Sequence, residues 1–480
     1  MDDFPKELTL QAQASEHELV DEVRASSTGR SINDIPPELL TIILKHAQRP
    51  RSCLYEACLV NSYWRAIAQP LLFNGWSESR GSEWDKHVLG YIRSLLDRPD
   101  LAASVTTIYL DSCCEDSHDL GGNDPPDPDL LERMLEAAEC HQPGNEDWKT
   151  AISERRHDSV LALMLYLLPR LACLNIDVEY CEDPELSHWI MMFARQNSSQ
   201  GSPTTSPFLQ ELRVVHAQHW DTEGGFNMSD IAPLLMLPNM HTVETYALGN
   251  CRVPASETWP VRSSKVRLLS LNQSGMEAED FELLLSTFEA LEVLEWQWGN
   301  ACQTDADVNV TEIGNTLRRH GKSLQRLVID VVSSIWTEYG DLGTDSIGSL
   351  AHMTLLKSIT LPTVFLTDDN DDDGYDFEPL HFADVFPQAL EELNLIDTTP
   401  RLPQYLLEMA RNCASAFPKL KVVRCTEWDQ SDHEVDVEMV RQAFEAAGVS
   451  FMGFEHVYLP QSFLAEYDEL SNKDARKIIE

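Results

Sequence analysis

The residues most suggestive of chemistry form a glycine-rich stretch that approximates a phosphate-binding loop. Such a loop needs four residues between its glycines, because their backbone N–H groups curl around the phosphate, and a helix must follow. Here six residues separate Gly314 from Gly321, and Gly321-Lys322-Ser323 precedes a strand-like run. The spacing therefore predicts no nucleotide site.

An acidic stretch approximates a calcium-binding loop in a similarly incomplete way. Asp369, Asp371, Asp373 and Gly374 repeat the opening of such a loop, but Leu380 occupies the position of its last ligand. Calcium needs a bidentate glutamate at that position, and no helix is predicted to enter the loop. We interpret the stretch as a solvated acidic loop.

The other candidates for catalysis or metal binding lack a productive spacing. The 15 histidines form neither an HExxH motif nor a cluster with cysteine. The 79 acidic residues supply so many carboxylate pairs that no pair stands out as acid and base. The sequence predicts a non-enzyme with no catalytic residue, no metal and no cofactor.

Composition and charge restrict the class of partner. The chain has 480 residues, of which 43% are hydrophobic and 24% charged, as in ordinary globular proteins, and its formal net charge is −43. That charge repels phosphate backbones and anionic lipids, which argues against binding to nucleic acid or to a membrane surface. A protein partner with a basic segment fits better, while solubility alone is the simpler explanation of the acidity.

The patterns of export and membrane insertion are not found in the sequence. Residues 1–30 are polar and acidic, without the basic and apolar regions of a signal peptide, and we predict a disordered arm there. No run of about eighteen apolar residues occurs, so no membrane span is expected. The 11 cysteines are scattered without a CxxC pair, which is typical of reduced thiols. These features favour a cytoplasmic or nuclear protein.

The elements that could carry a binding function begin with a compact helical module at residues 31–76. Pro36 and Pro37 suit a helix entry, and the helix is predicted to run to about Gln48. Its apolar positions leave only a narrow polar stripe, and they are Leu39, Leu40, Ile42, Ile43, Leu44 and Ala47. One neighbouring element cannot cover so wide an apolar arc.

Two shorter helices are predicted to follow, at Cys53–Val60 and Ser62–Gln69, and Pro70 is predicted to close the second. Three short helices within about forty residues lie near the lower limit for a self-sufficient core. Apolar residues beyond those that the helices bury in one another therefore indicate an external partner. The alternative is an ordinary helical start to a larger domain.

The order of residues in this module resembles an F-box, most closely the fungal type. The resemblance rests on Ile35-Pro36-Pro37-Glu38-Leu39-Leu40, Ile42-Ile43, Ala57-Cys58-Leu59-Val60 and Trp64-Arg65-Ala66-Ile67-Ala68, although Ile35 stands where leucine is usual. It implies a three-helix module that docks on the Skp-type adaptor of an SCF-type cullin-RING ubiquitin ligase. The adaptor-binding residues would then be Ile35, Pro36, Leu39, Leu40, Ile43, Val60 and Trp64.

After a helical linker predicted at residues 77–100, a short phrase of the form apolar-x-x-apolar-x-apolar recurs ten times in residues 101–480. The phrases are 105–110, 171–176, 209–214, 240–245, 266–271, 291–296, 324–329, 356–361, 390–395 and 420–425. From 171 onward their first positions are separated by steps of 38, 31, 26, 25, 33, 32, 34 and 30 residues. Each phrase ends in the alternation of a strand, and helix-spaced runs lie between phrases.

A strand of this kind cannot bury its apolar side alone, so successive units must stack, with strands inside and helices outside. The pattern resembles leucine-rich repeats of the irregular type found in fungal F-box proteins. The predicted fold class is therefore α/β, with a helical module followed by a leucine-rich-repeat-like solenoid that includes a C-terminal cap. The alternative is an ordinary α/β domain with several parallel strands.

Two functions from different classes are compatible with this organisation. The first is the substrate receptor of an SCF-type ligase, in which the repeats recruit an unidentified target protein. The second is a non-catalytic repeat scaffold unrelated to ubiquitin transfer, and a hydrolase hidden in the repeats has almost no support. Strand alternation predicts a target-binding face that includes Arg213, Glu244, Glu295, Asp330, Glu392, Asn394 and Arg424. Trp298 and Trp428 would lie near its edge. The loops 111–128 and 367–379 are alternative target sites.

Overall fold

The structure is a computed structural model that describes residues 32–47, 52–77, 84–110, 127–178, 208–219, 225–249, 261–299, 309–331, 346–366, 381–396, 402–425 and 437–453, together with 186, 188–190, 192 and 193. It is an α/β structure with a parallel sheet. The chain divides into two compact units, one of Met1–Trp76 and Arg98–Thr106, the other of Ser77–Asp97 and Thr107–Glu480. No helix in the described ranges is long and apolar enough to cross a membrane. The predicted acidic arm, 1–30, lies outside these ranges.

The first unit is built on three helices. They are α1 (Pro37–His46), α2 (Ser52–Val60) and α3 (Ser62–Phe73), which β1 (Gly75–Ser77) follows. Their buried core consists of Leu40, Leu44, Leu54, Ala57, Cys58 and Ala68. Ile35, Tyr63, Trp64, Ile67, Leu71 and Leu72 pack against it from partly buried positions. Six small or medium-sized side chains make a small core, as expected for so short a module.

Polar contacts hold the connections between these helices. The Asn61 side chain caps α3 by accepting a hydrogen bond from the backbone N–H of Trp64, at 2.9 Å. The Tyr63 hydroxyl donates to the Ile35 carbonyl at 2.6 Å, and Arg65 Nε donates to the Cys58 carbonyl at 3.0 Å. The entry of α1 and the end of α2 are therefore both tied to α3.

One predicted helix end in this unit is wrong. The first helix ends at His46, with Ala47 as its C-terminal cap, close to the predicted end. The third helix continues through Pro70 to Phe73. Proline removes one helical hydrogen bond and typically costs about 3 kcal/mol inside a helix. Continuation lets Leu71 and Leu72 pack against the buried core, which offsets that cost.

The second unit alternates helices and strands along the chain. Its elements are α4 (Trp84–Asp97), β2 (Thr107–Leu110), α6 (Pro128–His141), α7 (Glu146–Ser153), α8 (His157–Tyr166), β3 (Cys173–Val178), β4 (Val214–His219), α9 (Met228–Leu235), β5 (Thr242–Tyr246), β6 (Leu268–Asn272), α10 (Ala278–Ser286), β7 (Val293–Trp298), α11 (Val310–His320), β8 (Arg326–Val331), β9 (Ser358–Pro362), α12 (Phe382–Val385), β10 (Glu392–Ile396), α13 (Leu402–Ala416), β11 (Val422–Cys425), α14 (Val437–Ala446) and β12 (Ser450–Gly453). The short α5 (Pro99–Ala102) belongs to the first unit.

Strands β2 to β12 pair in chain order, each parallel to the next. This order confirms the predicted stacking of successive units and is consistent with a solenoid-like α/β fold. Nine of the ten phrases coincide with strands at the predicted places. Strand β12 was not predicted.

One face of the sheet is a continuous apolar surface. A row of residues in register across the strands is almost completely buried, and it comprises Ile108, Leu174, Val215, Val243, Leu269, Leu294, Leu327, Ile359, Leu393, Val423 and Phe451. Helices cover this face: Phe281 of α10 stacks on Trp296 with ring centroids 4.5 Å apart, and Phe444 of α14 stacks on Phe451 at 5.4 Å. The residues that alternate with this row along each strand lie on the other face of the sheet.

The phrase predicted at 209–214 is displaced by three residues. Strand β4 begins at Val214, where a strand was expected to end, and Val214 pairs with Cys173. Leu209 is buried in a turn with a positive φ of 50°, a left-handed conformation that a strand does not use. The equivalent of Leu171 is therefore Leu212, and the true phrase is 212–217.

Two adjacent leucines just before β9 test whether the first position of a phrase lies in the core. Leu356, a first phrase position, is 0% exposed, while Leu355 beside it is 50% exposed. We expect Leu356→Ala to lower the free energy of unfolding by about 2–5 kcal/mol, because it leaves a cavity in the core. Leu355→Ala should change it by less than about 1 kcal/mol. Urea unfolding followed by circular dichroism measures both, and equal losses would show that the first phrase position is not seated in the core.

Candidate functional site

The first unit exposes large apolar side chains on two of its helices. The exposed fraction of the residue lies between 50% and 60% for Leu39, Ile42 and Ile43 of α1 and for Tyr55, Leu59 and Val60 of α2. We call these six the head apolar residues. Exposed apolar side chains in such density are unusual on a folded surface and mark interaction sites. The first unit, which we call the head, therefore has apolar surface that is not part of its own core.

Helix periodicity explains why these side chains remain outside. In α1, only Leu40 and Leu44 are buried; they lie four residues apart and so share one face. In α2, Leu54, Ala57 and Cys58 occupy the inner face. The apolar residues of the other faces have no place in the core.

The seven predicted adaptor-binding residues fall into two groups. Pro36, Leu39, Ile43 and Val60 are exposed and available to a partner. Leu40 is fully buried, and Ile35 and Trp64 are half-buried against the core. These three support the surface from beneath. The predicted set of adaptor-binding residues omits three exposed apolar residues, Ile42, Tyr55 and Leu59, although the apolar pattern of both helices contains them.

The face of the sheet opposite the buried inner row carries a second row of side chains, which we call the open-face row. Strand pairing puts the following residues side by side: Tyr109, Asn175, His216, Glu244, Ser270, Glu295, Val328, Thr360, Asn394, Arg424 and Met452. Neighbouring strands lie about 4.8 Å apart. Residues from repeats far apart in sequence thus form one continuous surface.

Most predicted target-binding residues lie on this face. Glu244, Glu295, Asn394 and Arg424 belong to the open-face row. Glu392 lies two residues before Asn394 and therefore shares its face. Asp330 pairs with Gln297, which lies two residues beyond Glu295, so Asp330 is on this face as well.

Arg213 does not belong to the open face. It precedes β4, its backbone N–H bonds the Ala172 carbonyl, and its side chain lies 3.7 Å from Glu211. The displaced phrase caused this error, and His216 occupies the row position that Arg213 was expected to fill.

Two glutamates dominate the electrostatics of the row. The side chain of Glu244 is only 13% exposed, and that of Glu295 only 14%. His216 Nδ1 lies 2.8 Å from Glu244 Oε2. Arg326 Nη2 lies 3.2 Å from Glu295 Oε1, close enough for an ion pair but not aligned for a hydrogen bond. The other oxygen of Glu244, and Oε1 of Glu295 itself, are buried and have no hydrogen-bond partner within the described residues.

Burial raises the pKa of Glu295 above its ordinary value, and the nearby Glu244 adds to the rise, while Arg326 opposes it. Ser270 separates the two glutamates in the row, so they lie two strands apart and not directly opposite. Direct opposition of like charges would destabilise the sheet. The centre of the open face, which we call the acidic centre, therefore holds two largely buried carboxylates, with His216 beside Glu244 and Arg326 beside Glu295.

Toward the end of the sheet the row becomes a hydrogen-bonded polar group. Asn394 Nδ2 donates to Thr360 Oγ1 at 2.9 Å, and Arg424 Nη1 donates to Asn394 Oδ1 at 3.2 Å. Arg424 also lies 3.9 Å from Glu392. These side chains satisfy one another and leave a mixed-charge surface.

Several predicted features fall outside the described residues. They are Trp428, the calcium-like stretch from Asp369 to Leu380 and the loops 111–128 and 367–379, apart from Asp127 and Pro128. Trp298, expected near the edge of the open face, is almost fully buried and packs against Trp296 with the two rings tilted by 40°. Within the described ranges, no group of three or more His, Cys, Asp or Glu side chains is arranged to hold a metal ion.

No protein-family model matches the chain, and no curated protein matches it either.

The burial of Glu295 predicts a pH-dependent stability. A carboxyl with a raised native pKa binds its proton more tightly when folded, so its unfavourable effect grows as pH rises above about 4.3, the ordinary value for glutamate. Glu295→Gln removes this effect. We expect its stability relative to the wild type to increase as pH rises from about 4.3 and to level off above the native pKa of Glu295, as measured by urea unfolding. A relative stability that falls with pH would mean that the Arg326 ion pair outweighs burial.

Proposed function

We propose that this protein is the substrate-recognition subunit of an SCF-type cullin-RING ubiquitin ligase. The head docks on a Skp-type adaptor, and the open face of the repeats recruits a target protein with a basic segment. The observation that carries the proposal is the set of exposed head apolar residues, which supplements the F-box resemblance of the sequence. The protein itself performs no catalysis in this role.

The head apolar residues support adaptor docking because the helices are already folded around a different face. Leu40 and Leu44 anchor α1 to α3, and Leu39 and Ile43 are left free to enter a partner's apolar groove. Residues four apart on a helix make one continuous contact strip. Apolar anchors of this kind carry most of the energy of protein interfaces.

The open-face row supports a target with a basic segment through its charge. Glu244 and Glu295 lie near the middle of the row, and the small exposed part of each carboxylate would attract an incoming Lys or Arg. Asp330 extends the acidic surface by one further position. Because burial weakens screening, these charges act more strongly than those of exposed pairs.

The alternative is a repeat scaffold that takes no part in ubiquitin transfer. In that case the head apolar residues would bind some other protein, and the adaptor would not co-purify. The two functions therefore separate on one observation, the capture of the adaptor by the full chain.

Adaptor binding depends on a strip that can be changed without touching the core. We expect the double variant Leu39→Ala and Ile43→Ala to lose at least about tenfold in adaptor affinity, because truncating interface anchors typically costs 1 kcal/mol or more each. Its melting temperature should be unchanged. Leu355→Ala, an equally exposed leucine in the repeats, is the matched control.

Adaptor affinity is measured by isothermal titration with purified adaptor and full chain. Wild-type chain that shows no binding removes the ligase proposal. Undiminished binding by the double variant would move the docking surface away from α1.

Target capture by the acidic centre is tested by neutralisation, since charge reversal at the largely buried Glu295 would disrupt the sheet. The double variant Glu295→Gln and Asp330→Asn should capture several-fold less target from the organism's own lysate at low salt, and added salt should weaken capture by the wild type. Glu132→Gln with Glu136→Gln, two exposed acids of α6, makes the same change in net charge and serves as control.

Quantitative mass spectrometry of the captured proteins supplies the measurement. Equal capture by both double variants at low ionic strength would show that the acidic centre does not bind the target. The loops 111–128 and 367–379 would then be the next candidates.

A further inference from the structure

Four lysines lie along one edge of the parallel sheet, where the chain enters strands β8 to β11. The segments that lead into these strands are 321–325, 349–357, 386–391 and 417–421. Their Lys, Arg, Asp and Glu residues are Lys322, Lys357, Lys419, Lys421 and Glu391. In the whole chain Asp and Glu outnumber Lys and Arg by 79 to 36, so this edge reverses the charge balance of the protein. We call the four lysines the lysine edge.

Backbone hydrogen bonds hold these segments side by side. The Lys357 N–H donates to the Gln325 carbonyl at 2.8 Å. The Glu391 N–H donates to the Lys357 carbonyl at 2.7 Å, and the Lys421 N–H donates to the Glu391 carbonyl at 2.8 Å. Lys357, Glu391 and Lys421 are therefore consecutive steps of one ladder, with about 4.8 Å between neighbouring steps.

One carboxylate of the protein already lies among these lysines. Lys421 Nζ donates to Glu391 Oε2. This hydrogen bond lowers the pKa of Glu391, and the positive charges of Lys357 and Lys419 lower it further. The next acid along the chain, Glu392, lies 3.9 Å from Arg424. A single carboxylate therefore balances only part of the positive charge at this edge.

The other three lysines of the edge face solvent. Lys322, Lys357 and Lys419 are exposed, and none of their ammonium groups makes a hydrogen bond or a close ion pair within the described residues. Leu355, two residues before Lys357, is 50% exposed. The edge thus combines cations that are free to pair with an apolar side chain that is free to pack.

We propose that the lysine edge, together with Leu355, is a docking surface for an acidic segment of a partner protein. Carboxylates of that segment pair with the exposed ammonium groups, in the way that Glu391 already pairs with Lys421. The edge spans three strand spacings, about 14 Å, which four or five extended residues cover at about 3.3 Å each. This surface is separate from the open face, and the proposal does not depend on the ligase function.

The charge of the rest of the chain favours a short peptide over a larger polyanion. A nucleic acid or an anionic membrane extends well beyond the lysine edge and would meet the acidic surface of a chain whose net charge is −43. Charges act over about 8 Å at physiological ionic strength. A short acidic segment can therefore lie within reach of the lysines without meeting the acids elsewhere.

The test uses the full chain and a fluorescent peptide of about nine residues, with glutamates around a central leucine. The same peptide with glutamine in place of each glutamate is the neutral probe. Fluorescence anisotropy at low salt measures both affinities. We expect the acidic peptide to bind at least about tenfold more tightly than the neutral one, and added salt should weaken its binding. Equal affinities would overturn the proposal.

A pair of lysine substitutions assigns the binding to this edge. Lys357→Gln with Lys419→Gln should weaken binding of the acidic peptide at least about threefold, since each exposed ion pair contributes little alone. Lys45→Gln with Arg411→Gln, two exposed cations of α1 and α13, makes the same change in net charge and serves as control. An equal loss in both double variants would show an effect of net charge alone and contradict the proposal.

Removal of the internal carboxylate should act in the opposite direction. Glu391→Gln frees Lys421, so we expect it to tighten binding of the acidic peptide about twofold or more. Glu132→Gln, at an exposed acid of α6, matches the change in charge and should leave the affinity unchanged. Unchanged melting temperatures check that the variants are folded, and the lysine pair decides if Glu391→Gln is not.

A second probe distinguishes an acidic protein segment from a nucleic acid. Single-stranded DNA with the same number of negative charges as the peptide should bind more weakly than the peptide. Tighter binding of the DNA, lost in the Lys357→Gln and Lys419→Gln double variant, would overturn the assignment of the edge to a protein partner.

Discussion

The register between neighbouring parallel strands is the constraint on which the repeat unit depends. Each strand contributes one almost fully buried residue to the row that runs from Ile108 to Phe451, and no strand could bury that residue alone. Because side chains alternate along a strand, seating the inner row under the helices determines which residues face outward. A slip of one residue in any strand would expose its apolar side chain and bury a polar one.

The open-face row is therefore a product of core packing. Glu244, His216 and Glu295 lie close together because Val243, Val215 and Leu294, their immediate neighbours, occupy the inner row. The same packing limits their contact with water, which strengthens every charge interaction among them. A surface on which His216 contacts Glu244 and Glu295 has a raised pKa follows from an apolar pattern on the opposite face.

The head follows a different principle, because it has more apolar residues than its core can accept. Three helices enclose a core of only six buried side chains, and α1 and α2 turn their other apolar residues outward. Exposure of these residues brings no stability to the isolated head. Contact of these side chains with water is unfavourable, and a partner that covers them would remove that contact. For this reason we assign the proposed docking function to them.

The sequence alone determined the helices of the head, nine of the ten strand positions and the alternation of inner and outer residues. These features are local, since spacing of about 3.6 or 2 residues specifies which side chains share a face. Local pattern failed at Leu209, where a buried turn residue resembled the start of a strand, and at Pro70, where packing of Leu71 and Leu72 offset a helix breaker.

Only the tertiary structure decided which apolar residues of α1 are exposed and which polar residues meet on the sheet. Apolar residues cover α1 except for a narrow polar stripe, and packing within the three-helix core selects Leu40 and Leu44 for burial. Asn175, His216 and Glu244 are separated by long stretches of chain, and each is unremarkable where it stands. Strand pairing makes them neighbours, because a parallel sheet joins residues by register and not by distance along the chain.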